Sequence, residues 1–351
     1  MPVLRSLHRD HLSQTLALTL SALVFLALAH VFPIAVMDLY GKESQANLWQ
    51  TVGELFEKQS WFIGVVVLIT AVLMPVIEVL MLLYVTWPLY RSNGQSIHLT
   101  LLQKTVIRML PWVRPWSMIE ILLLGVLVSI VKLHSFAHIM PSIALWSLLL
   151  ALLCVTAAFY TLKKTLHFGL VQLYSRGQTR QTHYANFRQC WAFVLSAAAF
   201  YLPANILPVM ETRSVYAYSD DTIYSGVVFL WETGSWHLAI IIFFASIVIP
   251  LFKIVVLALL LLCVQFNWLR WRAEQMYLYR VIEVIGRWSM LDIFVATMMG
   301  TLVQLQGLGR IEVGSGAAAF AAVVIFTMLA SQSFDPRWLL IKKNNQGSTD
   351  S

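Results

Sequence analysis

The sequence predicts an all-α integral membrane protein, with eight transmembrane helices arranged as two tandem four-helix repeats in parallel orientation. Three observations carry that expectation. Hydrophobic residues make up 59% of the 351 and charged residues only 12%, where a soluble domain holds roughly 25% charged residues. Eight predominantly apolar stretches each approach the ~20 residues that cross a bilayer. The chain also matches itself when shifted by 175 residues, and self-similarity of this kind marks a repeated architecture.

The apolar stretches lie near 14–37, 61–88, 116–134, 139–161, 189–210, 237–265, 288–307 and 316–334. They fill most of the chain and leave no large soluble domain. The first sits where a signal peptide would. It is too long for the apolar core of one, no A-x-A-like cleavage site follows it, and it is copied later, so it reads as a retained helix. The expected organisation is a first membrane unit over 1–161, a basic linker over 162–188, a second unit over 189–340 and a polar tail over 341–351.

The net charge of +7 is distributed by loop. The loop 89–115 holds Arg91, Lys104, Arg108 and Arg114 with no acid, and 162–188 holds Lys163, Lys164, Arg176, Arg180 and Arg188 with none. Alternate loops are acidic, with Asp38, Glu43, Glu54 and Glu57 in one and Glu211, Asp220, Asp221 and Glu232 in another. Lysine and arginine mark the cytoplasmic side, so both termini are expected there and the acidic loops outside. The basic charge is then a topology signal that also suits anionic lipid, and no nucleic-acid partner is expected. Cys154, Cys190 and Cys263 fall in or beside apolar spans, which reads as buried thiols rather than a disulfide framework.

The repeat is specific in its residues. Ala29-His30-Val31-Phe32-Pro33 falls on Ala204-Asn205-Ile206-Leu207-Pro208, Ser60-Trp61 on Ser235-Trp236, and Met74-Pro75 on Ile249-Pro250. After a slip of three residues, Trp116-Ser117-Met118-Ile119-Glu120 falls on Trp288-Ser289-Met290-Leu291-Asp292. Four spans per copy is an even number, so the copies share one orientation, related by an axis along the membrane normal.

The second copy reads Leu202-Pro203-Ala204-Asn205-Ile206-Leu207-Pro208, then Ser246-Ile247-Val248-Ile249-Pro250-Leu251-Phe252-Lys253. It continues Gly286-Arg287-Trp288-Ser289-Met290-Leu291-Asp292-Ile293-Phe294 and ends Ser333-Phe334-Asp335-Pro336-Arg337. This string resembles the paraquat-inducible protein A family, and Trp116–Glu120 with Val131-Lys132-Leu133 resembles that family's first domain. The resemblance implies an inner-membrane protein of a Gram-negative envelope. It implies a periplasmic partner carrying mammalian-cell-entry domains and a role in moving membrane lipids between the inner and outer membranes. One departure stands out. The family carries Cys-x-x-Cys pairs before each unit, a structural zinc site in that spacing. Here Thr165 and Phe168 occupy the expected positions of the first linker pair, and the remaining His167, His183 and Cys190 are scattered. No metal and no cofactor are therefore expected.

A charge inside a span costs at least ~2.5–3.5 kcal/mol, which makes it a functional hypothesis. Four stand in register: Glu78 with Lys253, and Glu120 with Asp292. Pro250 cannot donate to the Ser246 carbonyl four residues earlier, and Ser246, Pro250 and Lys253 lie near one helix face. Ser289 and Asp292 share a face, and Thr327 is mid-span in the last helix. The expected polar network is Lys253 and Asp292 with Ser246, Ser289 and Thr327, and the resemblance implies the same five positions. Its first-unit counterparts are Glu78 and Glu120, and the helix breaks are Pro75, Pro250, Asn205 and Pro208. The alternatives are structural: an ion pair that fixes helix register, and Glu120 wetted at the membrane edge. His30 beside Pro33 reads as a helix-break hydrogen bond rather than a metal ligand. Lys132, near a span end, is expected to snorkel, and Trp61, Trp87, Trp236 and Trp271 to anchor at the interfaces. Segments 45–60 and 221–236 mix apolar and acidic residues and suit surface helices or a docking rim.

Beside lipid transport stand a proton-coupled small-molecule transporter built on the same charged groups and a non-catalytic scaffold anchoring a periplasmic protein. Haem ligation would want paired histidines within spans, and only His30 qualifies. No nucleophile–base pair, Walker loop or metalloprotease motif suggests an enzyme.

Overall fold

The computed structural model describes residues 2–39, 42–57, 61–91, 100–133, 138–174, 182–213, 218–232, 234, 236–266, 277–279, 281, 290–291, 293–295, 297 and 310–334. Helix α1 (Pro2–Val31) leads into strands β1 (Ala35–Leu39) and β2 (Lys42–Ala46) and a short helix α2 (Leu48–Glu57). Then come α3 (Trp61–Arg91), α4 (Leu101–Val113), α5 (Ile119–Leu133), β3 (His138–Pro141) and α6 (Ile143–Tyr174). The same succession reopens with α7 (Thr182–Ile206), β4 (Met210–Arg213), β5 (Tyr218–Asp221) and α8 (Ile223–Glu232). Helix α9 runs through Trp236–Phe243, Phe244–Val248 and Ile249–Gln265, and β6 (Arg310–Val313) precedes α10 (Ser315–Ser333).

Among the described residues, seven helical stretches are long and apolar enough to cross a membrane, beginning with Leu12–Val31 and ending with Ser315–Ser333. They match seven of the eight expected spans. The remaining one, 288–307, lies mostly outside the described residues.

Two expectations need correction. The chain is not purely helical: β2-β1-β3 and β5-β4-β6 form two three-stranded antiparallel sheets. Residues 35–37, counted as the end of the first span, are strand instead. Pro33 disfavours helical backbone in the residue before it, the last helical turn closes with Phe32 N–H on the Leu28 carbonyl at 3.0 Å, and the freed backbone then pairs edge to edge. Similarly, the expected basic loop 89–115 contains α4. A capping box starts it, with the Thr100 side chain accepting from Gln103 N–H and the Gln103 side chain accepting from Thr100 N–H. Both mixed apolar–acidic outer segments contain short helices, α2 and α8.

Each sheet ties two spanning helices together. Ala35 pairs with Ala46 and Pro141, and Met210 pairs with Asp221 and Val313. Below the sheets, Ser142 N–H donates to the Ile34 carbonyl at 3.1 Å and Gly314 N–H to the Val209 carbonyl at 2.9 Å. Gly316 N–H adds a bond to the Pro208 carbonyl at 2.9 Å. The approach at Gly314 and Gly316 is so close that a Cβ at either would overlap the backbone of Leu207–Pro208. Pro208 is thus the seam between α7 and α10.

Helix α1 packs along α6, and α7 along α10. The residues at these seams recur every seven positions and are small. Thr15, Ala22 and Ala29 are fully buried on α1, Ala144, Ala151 and Ala158 on α6, and Cys190, Ala197 and Ala204 on α7. Lipid tails are as apolar as leucine, so helices in a membrane associate through close packing, which small residues permit. A seven-residue repeat keeps the seam facing its partner over many turns. Thr15 Oγ1 donates to Thr161 Oγ1 at 2.9 Å, and Cys190 Sγ donates to the Ala330 carbonyl at 3.2 Å.

Candidate polar site within the spans

Span α9 is interrupted at its centre. Phe244–Val248 winds as a π-turn, in which Ile249 N–H reaches five residues back to the Phe244 carbonyl. Pro250 follows and has no N–H to donate. Such wide turns leave the backbone ladder open and recur at functional sites. The sequence placed the freed acceptor on Ser246; the bond the structure shows is Tyr201 Oη donating to the adjacent Ile247 carbonyl at 3.2 Å. Ser246 is fully buried, and its hydroxyl donates to the Ile242 carbonyl at 2.7 Å.

One helical turn past Pro250, Lys253 is 1% exposed. Its Nζ donates to Thr327 Oγ1 on α10 at 3.0 Å, and Thr327 Oγ1 donates to the Val324 carbonyl at 2.9 Å. The threonine hydroxyl spends its one proton on the carbonyl, so a lone pair faces the ammonium. Lys253 and Thr327, 74 positions apart in the chain, are therefore brought together. Asp292 and Ser289 lie outside the described residues.

The same break occurs in α3. Leu68–Leu73 is a π-turn, and Met74 N–H reaches the Ile69 carbonyl. Continuing that register, position 75 would donate to Thr70, but it is Pro75. Met118 N–H, at the mouth of α5, donates to the Thr70 carbonyl instead, at 3.2 Å. Two residues on, Glu120 is half-buried in the first turn of α5, where the helix dipole favours a carboxylate. Glu78 is buried on α3, about 12 Å along the helix from Thr70 at 1.5 Å per residue.

Asn205 and His30 play equivalent parts at their helix ends. Asn205 Nδ2 donates to the Tyr201 carbonyl at 2.8 Å, and His30 Nδ1 lies 2.6 Å from the Leu26 carbonyl. Both cap the turn before a proline, as the helix-break reading of His30 expects. Lys132 stands in the last turn of α5, and nothing is described of its side chain. No cluster of three or more potential metal ligands occurs among the described residues. The side chains of Thr165, His167, Phe168 and His183 lie outside them.

Three contacts were not anticipated. Arg114 sits 3.8 Å from the centre of the Phe159 ring. Trp116 Nε1 donates to Gln332 Oε1 at 3.3 Å. Gly125 packs so tightly on Phe294 that a Cβ there would come within 2.7 Å of the Phe294 Cβ. The last two join the two halves of the chain. A signal for Gly125 was present, since a glycine amid leucines and valines in a span marks a close helix crossing.

Apolar spans paired through small-residue seams, with a buried lysine–threonine bond beside a proline-terminated π-turn, define a polytopic helical membrane protein. The chain belongs to the paraquat-inducible protein A family, whose model matches residues 12–171 and again 187–342. It is 31% identical to the intermembrane transport protein PqiA of Escherichia coli (strain K12), over 92% of this chain and 84% of that one. It is 26% identical to a probable intermembrane transport protein of Haemophilus influenzae, over 95% of this chain and 86% of that one. Identity to the lipophilic envelope-spanning tunnel protein A of Escherichia coli is also 26%, covering 93% and 82%. No solved structure matches the chain.

Proposed function

We propose that the protein is the inner-membrane component of a lipid transport system, moving lipid between the inner and outer membranes with a periplasmic partner that carries mammalian-cell-entry domains. The printed names of its relatives, intermembrane transport protein and envelope-spanning tunnel protein, support transport. The observation in the molecule that carries the reading is the Lys253–Thr327 bond. A fully buried ammonium is costly in a span, and it suits either the negative headgroup of a lipid or the carboxylate of Asp292.

In this reading the chain is a duplicated unit of four spans, with 288–307 as the missing eighth and both copies in one orientation. Support comes from the matching sheet registers and from the two separate matches of the family model. Lys253, Asp292, Ser246, Ser289 and Thr327 form the working polar network of the second unit, and Glu78 and Glu120 its first-unit counterparts. Deleting the gene together with redundant homologues is expected to leave cells sensitive to detergents, and the wild-type gene to restore resistance. Normal detergent resistance in that strain, together with purification free of both a mammalian-cell-entry protein and bound lipid, would defeat the reading.

A further inference from the structure

Helix α4 has three faces. Gln103, Leu110 and Val113 are buried, and Val106 and Ile107 pack against the same core. Leu101, Leu102, Met109 and Trp112 are exposed, Leu101 by 83% and Leu102 by 68%. At 3.6 residues per turn these four fall within about 100° of arc. Lys104 and Arg108 are exposed on the remaining side, one turn apart. A helix on the surface of a soluble protein has two faces, apolar inward and polar outward. An added outward apolar arc bordered by cations is the pattern of a helix lying in a membrane interface.

The position in the bundle agrees. Arg114, immediately after α4, stacks on Phe159. Phe159 lies about 24 Å along α6 from Ile143, at the sheet end. With a hydrocarbon layer of ~30 Å, that places Arg114 close to the membrane boundary remote from the sheets. Arg91, exposed at the end of α3, and Arg188, exposed near the start of α7, add cations outside the Lys253 site. The stretch 89–115 contains no acid to oppose them.

We infer that α4 is a docking surface for phospholipids with anionic headgroups in the leaflet remote from the sheets. Leu101, Leu102, Met109 and Trp112 enter the acyl region, while Lys104 and Arg108 hold the phosphates. This surface belongs to the surrounding membrane and does not depend on which molecule the protein transports.

The full chain in nanodiscs of phosphatidylcholine with a minority of phosphatidylglycerol provides the test. Native mass spectrometry of the released protein reads the ratio of the two lipids retained. Replacing Lys104 and Arg108 by glutamine is expected to lower the phosphatidylglycerol preference by about thirtyfold, ~1 kcal/mol for each charge removed. An unchanged ratio overturns the inference. A second measurement does not rely on the charge variants. In the same nanodiscs, Met109→Cys should resist an aqueous maleimide that labels Lys104→Cys readily. Equal labelling of the two positions also overturns it.

Discussion

Lys253 and Thr327 are separated by 74 positions in the chain, yet a 3.0 Å hydrogen bond joins them inside the membrane. A bond to an ionised group contributes about 1.5–3 kcal/mol, and a buried donor that loses one of its acceptors costs at least that much. Thr327→Val keeps the shape and removes the acceptor. It is expected to lower thermal stability in detergent by an amount in that range, while Thr327→Ser restores it. A Thr327→Val protein as stable as wild type would show that the hydroxyl contributes nothing. Asp292→Asn addresses the chemistry. It removes the titratable group and keeps most of the hydrogen bonding, so the protein should reach normal membrane levels and fail to restore detergent resistance. Full activity would assign the charged residues to fixing helix register. Lys253 and Thr327 stand out in the sequence because polar residues are rare in spans. Tyr201 was not, since a tyrosine in a span reads as an interface anchor until its hydroxyl is seen on the Ile247 carbonyl.

At the scale of elements, the seams decide assembly. Ala197 is fully buried in the α7–α10 seam. A leucine there has nowhere to go, and overpacking costs roughly 1–3 kcal/mol. Ala197→Leu should therefore lower the melting temperature and yield of the purified protein, whereas Leu195→Ala, on the exposed face, should leave both unchanged. Equal behaviour of the two variants would mean that the seam is loosely packed. The seven-residue recurrence of Thr15, Ala22 and Ala29, copied at Cys190, Ala197 and Ala204, was present in the sequence. It is hard to read there because alanine in an apolar span carries no contrast in hydropathy. The two prolines were legible as breaks. The π-turns before them were not, because their extra residue is set by packing around the break. Met118 reaching the Thr70 carbonyl is the visible case.

For the whole molecule, both sheets lie at one end of their spans, and α4 at the other. From the lysine and arginine distribution, the sheets are expected to face outside the cell interior. Reporter fusions after Asp221 are then expected to read periplasmic and fusions after Arg180 cytoplasmic. A periplasmic signal from Arg180 would reverse the arrangement. The halves meet where Gly125 accepts Phe294 and Trp116 bonds Gln332.

The sequence by itself determined the membrane class, the seven described spans and the placing of Glu78 and Lys253 inside them. Each of these follows from composition and period along the chain, which local transfer energies dictate. Only the tertiary structure decided the sheets, because β1 gains its partners from residues 42–46 and from residues 138–141 on the far side of four helices. It alone joined Lys253 to Thr327 and Met118 to Thr70. Backbone groups freed at a proline or a helix end must find partners within the protein, since lipid supplies none. Which partner each one finds depends on what packing brings near it.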